Sequence, residues 1–161
     1  MFNSKAEFFL KIIFLFSFIG LIAAFFIEYV LGHQPCNLCL IERIPYGLSI
    51  MIIMAIFLIK KNQEFLVLLL ILTFIFSFTI SFYHYGIEQG FFQESSVCGA
   101  KSLTEDITKE KLLKQLSERA ISCRDVTFSI FGLSLTSINL VISILFIITL
   151  IKIFNNYEKN K

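Results

Sequence analysis

The chain has 161 residues, room for a single domain over 1–161; 57% are apolar, 16% are charged and 20 are phenylalanine, against about 45–50% apolar and about 25% charged in soluble domains. That excludes a soluble fold of this size and a disordered chain, and a formal net charge of only +2 excludes nucleic-acid binding through a basic field. What remains is an integral membrane protein.

The first span is predicted at about 8–30. Its charge-free core, Ile12–Ile27, has 16 residues. Phe8, Phe9 and Leu10 extend it behind Lys11, whose amine can snorkel to the headgroups. This run exceeds the about 7–15 residues of a signal-peptide core and no small-x-small cleavage site follows, so an uncleaved helix is expected. An outer loop at about 31–39 then turns through Gly32-His33-Gln34-Pro35, with His33 read as an ordinary loop residue, and carries Cys36-Asn37-Leu38-Cys39.

Two intervening residues bring two sulfurs within bonding distance in a ring small enough to open and close in a catalytic cycle. A position at a helix start lowers a thiol pKa and favours the attacking thiolate. Two bland alternatives stand beside this reading. A static staple is weak, because so short a ring restrains little chain. A zinc site would need two more ligands, and Cys98 and Cys123 lack the usual second Cys-x-x-Cys spacing.

The second span is predicted at about 40–60, around the 16 charge-free residues Ile44–Ile59. If the segment is helical throughout, Cys36, Cys39 and Arg43 fall at i, i+3 and i+7 on one face. A cation there would stabilise a Cys39 thiolate and hydrogen-bond a ligand's carbonyl oxygen; the alternative is an arginine snorkelling at the interface or pairing with Glu42. Pro45 either opens the true helix or kinks it. Lys60–Glu64 makes a tight turn into a third span at about 65–85, around the 19 charge-free residues Phe65–Tyr83. His84 stands where this span leaves the membrane. It is a candidate to donate to a bound ligand or to move protons, and equally an interfacial anchor.

A long outer loop follows at about 86–126. Gly86–Gly99 reads as irregular chain and Ser102–Ala120 as a short amphipathic helix, with a Ser102-Leu103-Thr104-Glu105 capping box and an apolar stripe through Ile107, Leu112, Leu113, Leu116 and Ala120. It would lie on the membrane surface or serve as an ordinary surface helix. Cys98 and Cys123 flank it. A bond between them would contribute roughly 3.5 kcal/mol by the chain-entropy model, so a purely structural disulfide competes with an exchanging one. Exchange is favoured by the exposed setting of Cys98 beside Gly99 and by a shared membrane face with the Cys-x-x-Cys. The last span is predicted at about 127–154, around the 26 charge-free residues Val126–Ile151.

Four spans put both termini on one side with the Lys60–Glu64 turn. That side carries seven lysines against three glutamates, a balance of +4, while each outer loop sums to −1. Positive charge marks the cytoplasmic face, so the termini are expected in the cytoplasm and all four cysteines outside it, where disulfides persist. The predicted fold is an all-α four-transmembrane-helix bundle, multi-pass, with both termini cytoplasmic.

A dithiol that keeps oxidising others needs an electron acceptor. The chain has no Rossmann fingerprint, no Walker loop and no Cys-x-x-Cys-His for haem, and two histidines are too few for a buried bis-histidine haem. A membrane quinone, ubiquinone or menaquinone, fits by elimination; no metal is expected.

This arrangement resembles the bacterial disulfide bond formation protein B (DsbB) family, inner-membrane thiol:quinone oxidoreductases. Pro35-Cys36-Asn37-Leu38-Cys39-Leu40-Ile41-Glu42-Arg43 is similar to the family's Pro-Cys-x-x-Cys-x-x-Glu-Arg signature. The run from Cys123 to Phe131-Gly132-Leu133-Ser134 is similar to the family's approach to its last span. The resemblance implies that a periplasmic thioredoxin-fold dithiol oxidase (DsbA-like) attacks Cys98, whose bonded mate is Cys123. It further implies that electrons move to Cys36–Cys39 and that Cys39 passes them to the quinone beside Arg43, with the site facing the periplasm. Tryptophan is absent, although better-known members carry it in the second loop. A vitamin K epoxide reductase type enzyme would place its Cys-x-x-Cys after the loop pair rather than before it. A small structural or assembly membrane protein stapled by two disulfides is the rival from another class.

Overall fold

A computed structural model describes residues 4–59, 62–94, 98, 122–124, 129–130 and 132–159. The amphipathic helix read at Ser102–Ala120 lies outside the described residues. The elements are α1 (Ser4–Tyr29), α2 (Asn37–Ile41), α3 (Arg43–Leu58), α4 (Gln63–Glu88), β1 (Ser129–Ile130), β2 (Leu133–Ser134) and α5 (Leu135–Lys159). Among the described residues, four helical stretches are long and apolar enough to cross a membrane, with Asn37–Leu58 counted as one, and at most a third of each is buried inside the chain. Their outward phenylalanines and leucines are the surface that lipid would cover.

The second span is broken at Glu42. Pro45 has no N–H to give the carbonyl of Ile41 and its ring would clash with it. The helix therefore stops at Ile41 and restarts at Arg43, which leaves Pro45 in a first turn whose amides need no helical partner. The last helix begins at Leu135, later than the predicted start at about 127. Before it, β1 and β2 form an antiparallel ribbon pairing Ile130 with Leu133. The turn passes through Gly132 at φ +80°, a conformation that opposes an early helix. Ser134 then caps α5, its Oγ accepting from the Ser137 amide at 3.2 Å.

The packing order sets up the site. α3 lies between α1 and α4, α4 runs along α5 in the most extensive contact, and α1 touches α5 only lightly. Buried hydroxyls tie the close pairs together: Ser49 donates to Ser17 between α3 and α1 at 2.9 Å, and Ser77 meets Ser143 between α4 and α5 at 3.1 Å. Two buried clusters result. One, around Leu10, Ile53, Leu70, Phe74 and Leu150, fills the end of the bundle near both termini. The other lies at the opposite end and gathers Cys36, Leu38, Ile87, Cys98 and Cys123, with Cys39 and Tyr83 against it. All four cysteines, distant in sequence, thus meet at one end of the bundle.

Candidate active site

Cys36 is in extended backbone and caps α2, its sulfur accepting from the Cys39 amide at 3.2 Å. One helical turn brings the Cys39 sulfur to 2.7 Å from it, and both are free thiols. The hydrogen bond from the Cys39 thiol, with those of the His84 ring and the Cys39 amide, holds the Cys36 pKa well below the usual thiol range, against the opposing effect of burial. Cys98 and Cys123 are bonded to each other as a disulfide with Cα atoms 5.5 Å apart, and both are buried, which corrects the exposed setting expected for Cys98. Glu94 braces the far side of this bond, accepting from the Ser122 hydroxyl and from the Arg124 amide at 2.9 Å. This bond takes Cys98 and Cys123 out of the zinc alternative, while Cys36, Cys39 and His84 bring three possible ligand atoms within 4.8 Å of one another.

Arg43 opens α3 and does not pair with its neighbour Glu42. Its Nη1 donates to Glu28 of α1, and its guanidinium lies 5.3 Å from the centre of the Phe25 ring. Because α1 and α5 barely touch, an apolar cavity of about 230 Å³ opens between them. Gly20, Ala23 and Ala24 of α1 form one wall; Cys39, Glu42, Arg43 and Tyr46 form the next; Thr136 and Asn139 of α5 close it. Cys39 and Arg43 therefore share a cavity, as the shared helical face suggested, although the helix breaks between them. His33 lies in the loop where it was expected and also lines this cavity.

His84, with its side chain only 2% exposed, is not among the lining residues. It stands behind the cavity, Nε2 at 3.6 Å from the Cys36 sulfur and Nδ1 at 2.9 Å from Glu42 Oε1. Its position against the thiol, rather than on the cavity wall, was not visible in the sequence. Nor were the groups that hold it. Asn139 donates to Glu42 Oε2 at 3.1 Å and to Ser81 at 2.7 Å, and accepts from the Tyr46 hydroxyl at 2.5 Å. Thr136 and Ser134 donate to Glu88 at 2.8 and 2.6 Å. A usable signal existed: Asn139 is the one amide in Val126–Ile151, and a lone amide within a span demands partners.

The family model described as Disulfide bond formation protein DsbB matches residues 6–153. An uncharacterized protein of Rickettsia prowazekii (strain Madrid E), RP370, is 31% identical over 147 residues, covering 90% of this chain and 86% of that protein. The matched stretch holds all four cysteines, Arg43 and the cavity between α1 and α5. With its four membrane-crossing helices, the chain is a multi-pass membrane protein of the disulfide bond formation protein DsbB family, with the thiol oxidoreductase role that membership carries.

Proposed function

We propose that this protein is a thiol:quinone oxidoreductase of the bacterial inner membrane that reoxidises a periplasmic DsbA-like thioredoxin-fold protein. The partner's thiolate attacks Cys98, Cys123 leaves, and resolution of the mixed disulfide oxidises the partner and leaves both cysteines reduced. These thiols open a Cys36–Cys39 disulfide by exchange and regain their own bond. The Cys36–Cys39 dithiol then loses two electrons and two protons to a quinone, giving quinol and restoring the disulfide. A depressed Cys36 pKa suits this order, since a stabilised thiolate makes a pair a stronger oxidant of other thiols.

The observation that carries the reading is the cavity. A half-buried redox thiol and a fixed cation share one apolar space of about 230 Å³ that lies between two membrane-crossing helices. An apolar ring with polar oxygens fits such a lining: the ring meets the small residues of α1, and one oxygen accepts from Arg43. The residues that would hold a quinone are thus Arg43, the wall of α1 and the start of α5. When bound, the quinone supplies the two-electron acceptor that the dithiol lacks.

Photolabelling tests this placement. A photoreactive quinone analogue in membranes should label peptides containing Cys39–Tyr46 or Leu135–Ile142, and excess unlabelled quinone should suppress it. Labelling confined to other segments and insensitive to competition would contradict the assignment.

A further inference from the structure

The oxidation of a dithiol by a quinone moves two protons as well as two electrons. Cys39 lines the cavity and can pass its proton to an acceptor there, but Cys36 is buried and does not line it. The Cys36 proton needs another way out.

The hydrogen bonds around His84 define one. Thr136 gives its hydroxyl proton to Glu88 Oε1 at 2.8 Å, so towards His84 Nδ1, 3.2 Å away, its oxygen can only accept. The other neighbour of Nδ1 is Glu42 Oε1 at 2.9 Å, again an acceptor when ionised. The proton of a neutral His84 therefore sits on Nδ1. Nε2 is left with its lone pair facing the Cys36 sulfur at 3.6 Å, which makes it a base aimed at that thiol. An imidazolium formed there lies between two carboxylates, Glu42 on Nδ1 and Glu88 at 3.9 Å from Nε2. Glu42 touches His84 on one side and lines the cavity on the other. Asn139 fixes its second oxygen, and Ser81 and Tyr46 fix Asn139.

We infer that His84 and Glu42 form a proton relay from Cys36 to the cavity: Nε2 takes the Cys36 proton, Nδ1 gives its own to Glu42, and Glu42 delivers it to a quinone oxygen. The balance closes. Two S–H bonds break and one S–S bond forms; the electron pair enters the quinone. One proton reaches it from Cys39 and one through Glu42, leaving His84 neutral in its other tautomer. On this account His84 acts on the thiol, Glu42 is the group that meets the acceptor, and Asn139 is a positioning residue. The inference rests on the quinone reading above and adds a route to it.

Single-turnover quinol formation by dithiol-reduced, purified protein, with a short-chain ubiquinone as acceptor, separates the two. Glu42→Gln keeps the shape and the Asn139 contact but cannot carry a proton; it should lower the maximal rate at least tenfold with the quinone half-saturation unchanged, consistent with the about 10²–10⁴-fold that proton transfer typically contributes. His84→Ala should fall similarly and recover with added imidazole, which a merely structural role would not produce; and in reduced protein without quinone, ¹⁵N NMR should show His84 Nδ1 protonated, a bare Nδ1 overturning the relay. If reduced wild-type protein forms quinol and Glu42→Gln does so at the wild-type rate, the relay is overturned and the quinone reading stands; Glu42→Gln decides this alone if His84→Ala does not fold. If reduced wild-type protein forms no quinol, the quinone reading falls and the relay with it.

Discussion

Two groups donate hydrogen bonds to the Cys36 sulfur, the Cys39 thiol and the Cys39 amide, and the His84 ring becomes a third donor once Nε2 holds the Cys36 proton. Each favours the thiolate, and together they outweigh burial, which favours the thiol. The sign of the consequence follows. An ordinary thiol, with a pKa near about 8.5, loses about tenfold in thiolate for each pH unit below that value. Cys36 keeps its thiolate well below neutrality and loses it only as the pH falls through its own depressed pKa. In the reduced protein, the rate of Cys36 alkylation by iodoacetamide should be nearly flat between pH 8 and pH 6, read by mass spectrometry of its peptide; a tenfold fall per unit over that range would contradict the account. Arg43 shows how a surface-type residue becomes part of a site. Glu28 and Phe25 hold its guanidinium at the cavity wall. Losing one charge-assisted hydrogen bond to a ligand costs about 1.5–3 kcal/mol, so Arg43→Ala should raise the quinone half-saturation about 10- to 100-fold. Protein abundance in membranes should stay the same; equal losses in both would make Arg43 a membrane anchor.

Helix ends place the chemistry. α2 is short because Pro45 forbids a continuous helix, and its first turn joins the two thiols. α4 ends in a tightly folded cap beyond His84. The amides of Phe91 and Phe92 both bond back to the carbonyl of Gly86, and Gly90 takes φ +78° to allow it. Phe92 then lies directly over Gly86 and stacks on Tyr83, ring centres 5.7 Å apart. A Cβ at position 86 would sit 2.1 Å from the Phe92 ring, so Gly86→Ala must expel that ring. We expect a loss of about 1–3 kcal/mol, seen as a lower thermal midpoint in detergent, with a matching gain in protease cleavage after Phe91 or Phe92. An unchanged midpoint would show that Phe92 does not hold this cap. The same helix carries Glu88, which takes hydrogen bonds from Ser134 and Thr136 at the start of α5. The cap and these bonds hold the ends of α4 and α5 together on one side of the thiols.

At the scale of the whole molecule, the bundle is asymmetric: three helix contacts are close and the fourth, between α1 and α5, is loose and holds the cavity. The four spans were legible because charge-free runs of this length have one common physical use. The closeness of Cys36 and Cys39 was legible from their spacing, the Cys98–Cys123 bond from the family resemblance, and the common side of Cys39 and Arg43 from their offset. The partnership of Glu42, His84 and Asn139 was not. These residues are separated by 42 and 55 positions, and in a helix that is apolar all round, periodicity does not say which face turns inward. Pairing of Glu42 with Arg43 stands in the sequence only as the alternative to a ligand-binding arginine; in the structure Arg43 turns to Glu28 of α1, and Glu42 to His84 of α4 and Asn139 of α5. The start of α5 was hidden likewise, since Phe131-Gly132-Leu133 is as apolar as the span it precedes. The central claim is that electrons cross from one cysteine pair to the other and leave through the cavity. The most direct test is quinone reduction by purified protein, with a reduced thioredoxin-fold dithiol protein as donor and single Cys→Ala variants alongside. The account predicts steady turnover by wild-type protein and its loss in each of Cys36→Ala, Cys39→Ala, Cys98→Ala and Cys123→Ala, with Cys98→Ala still able to form the Cys36–Cys39 disulfide. Wild-type turnover by Cys98→Ala, or none by wild-type protein with an active donor and quinone, would contradict it.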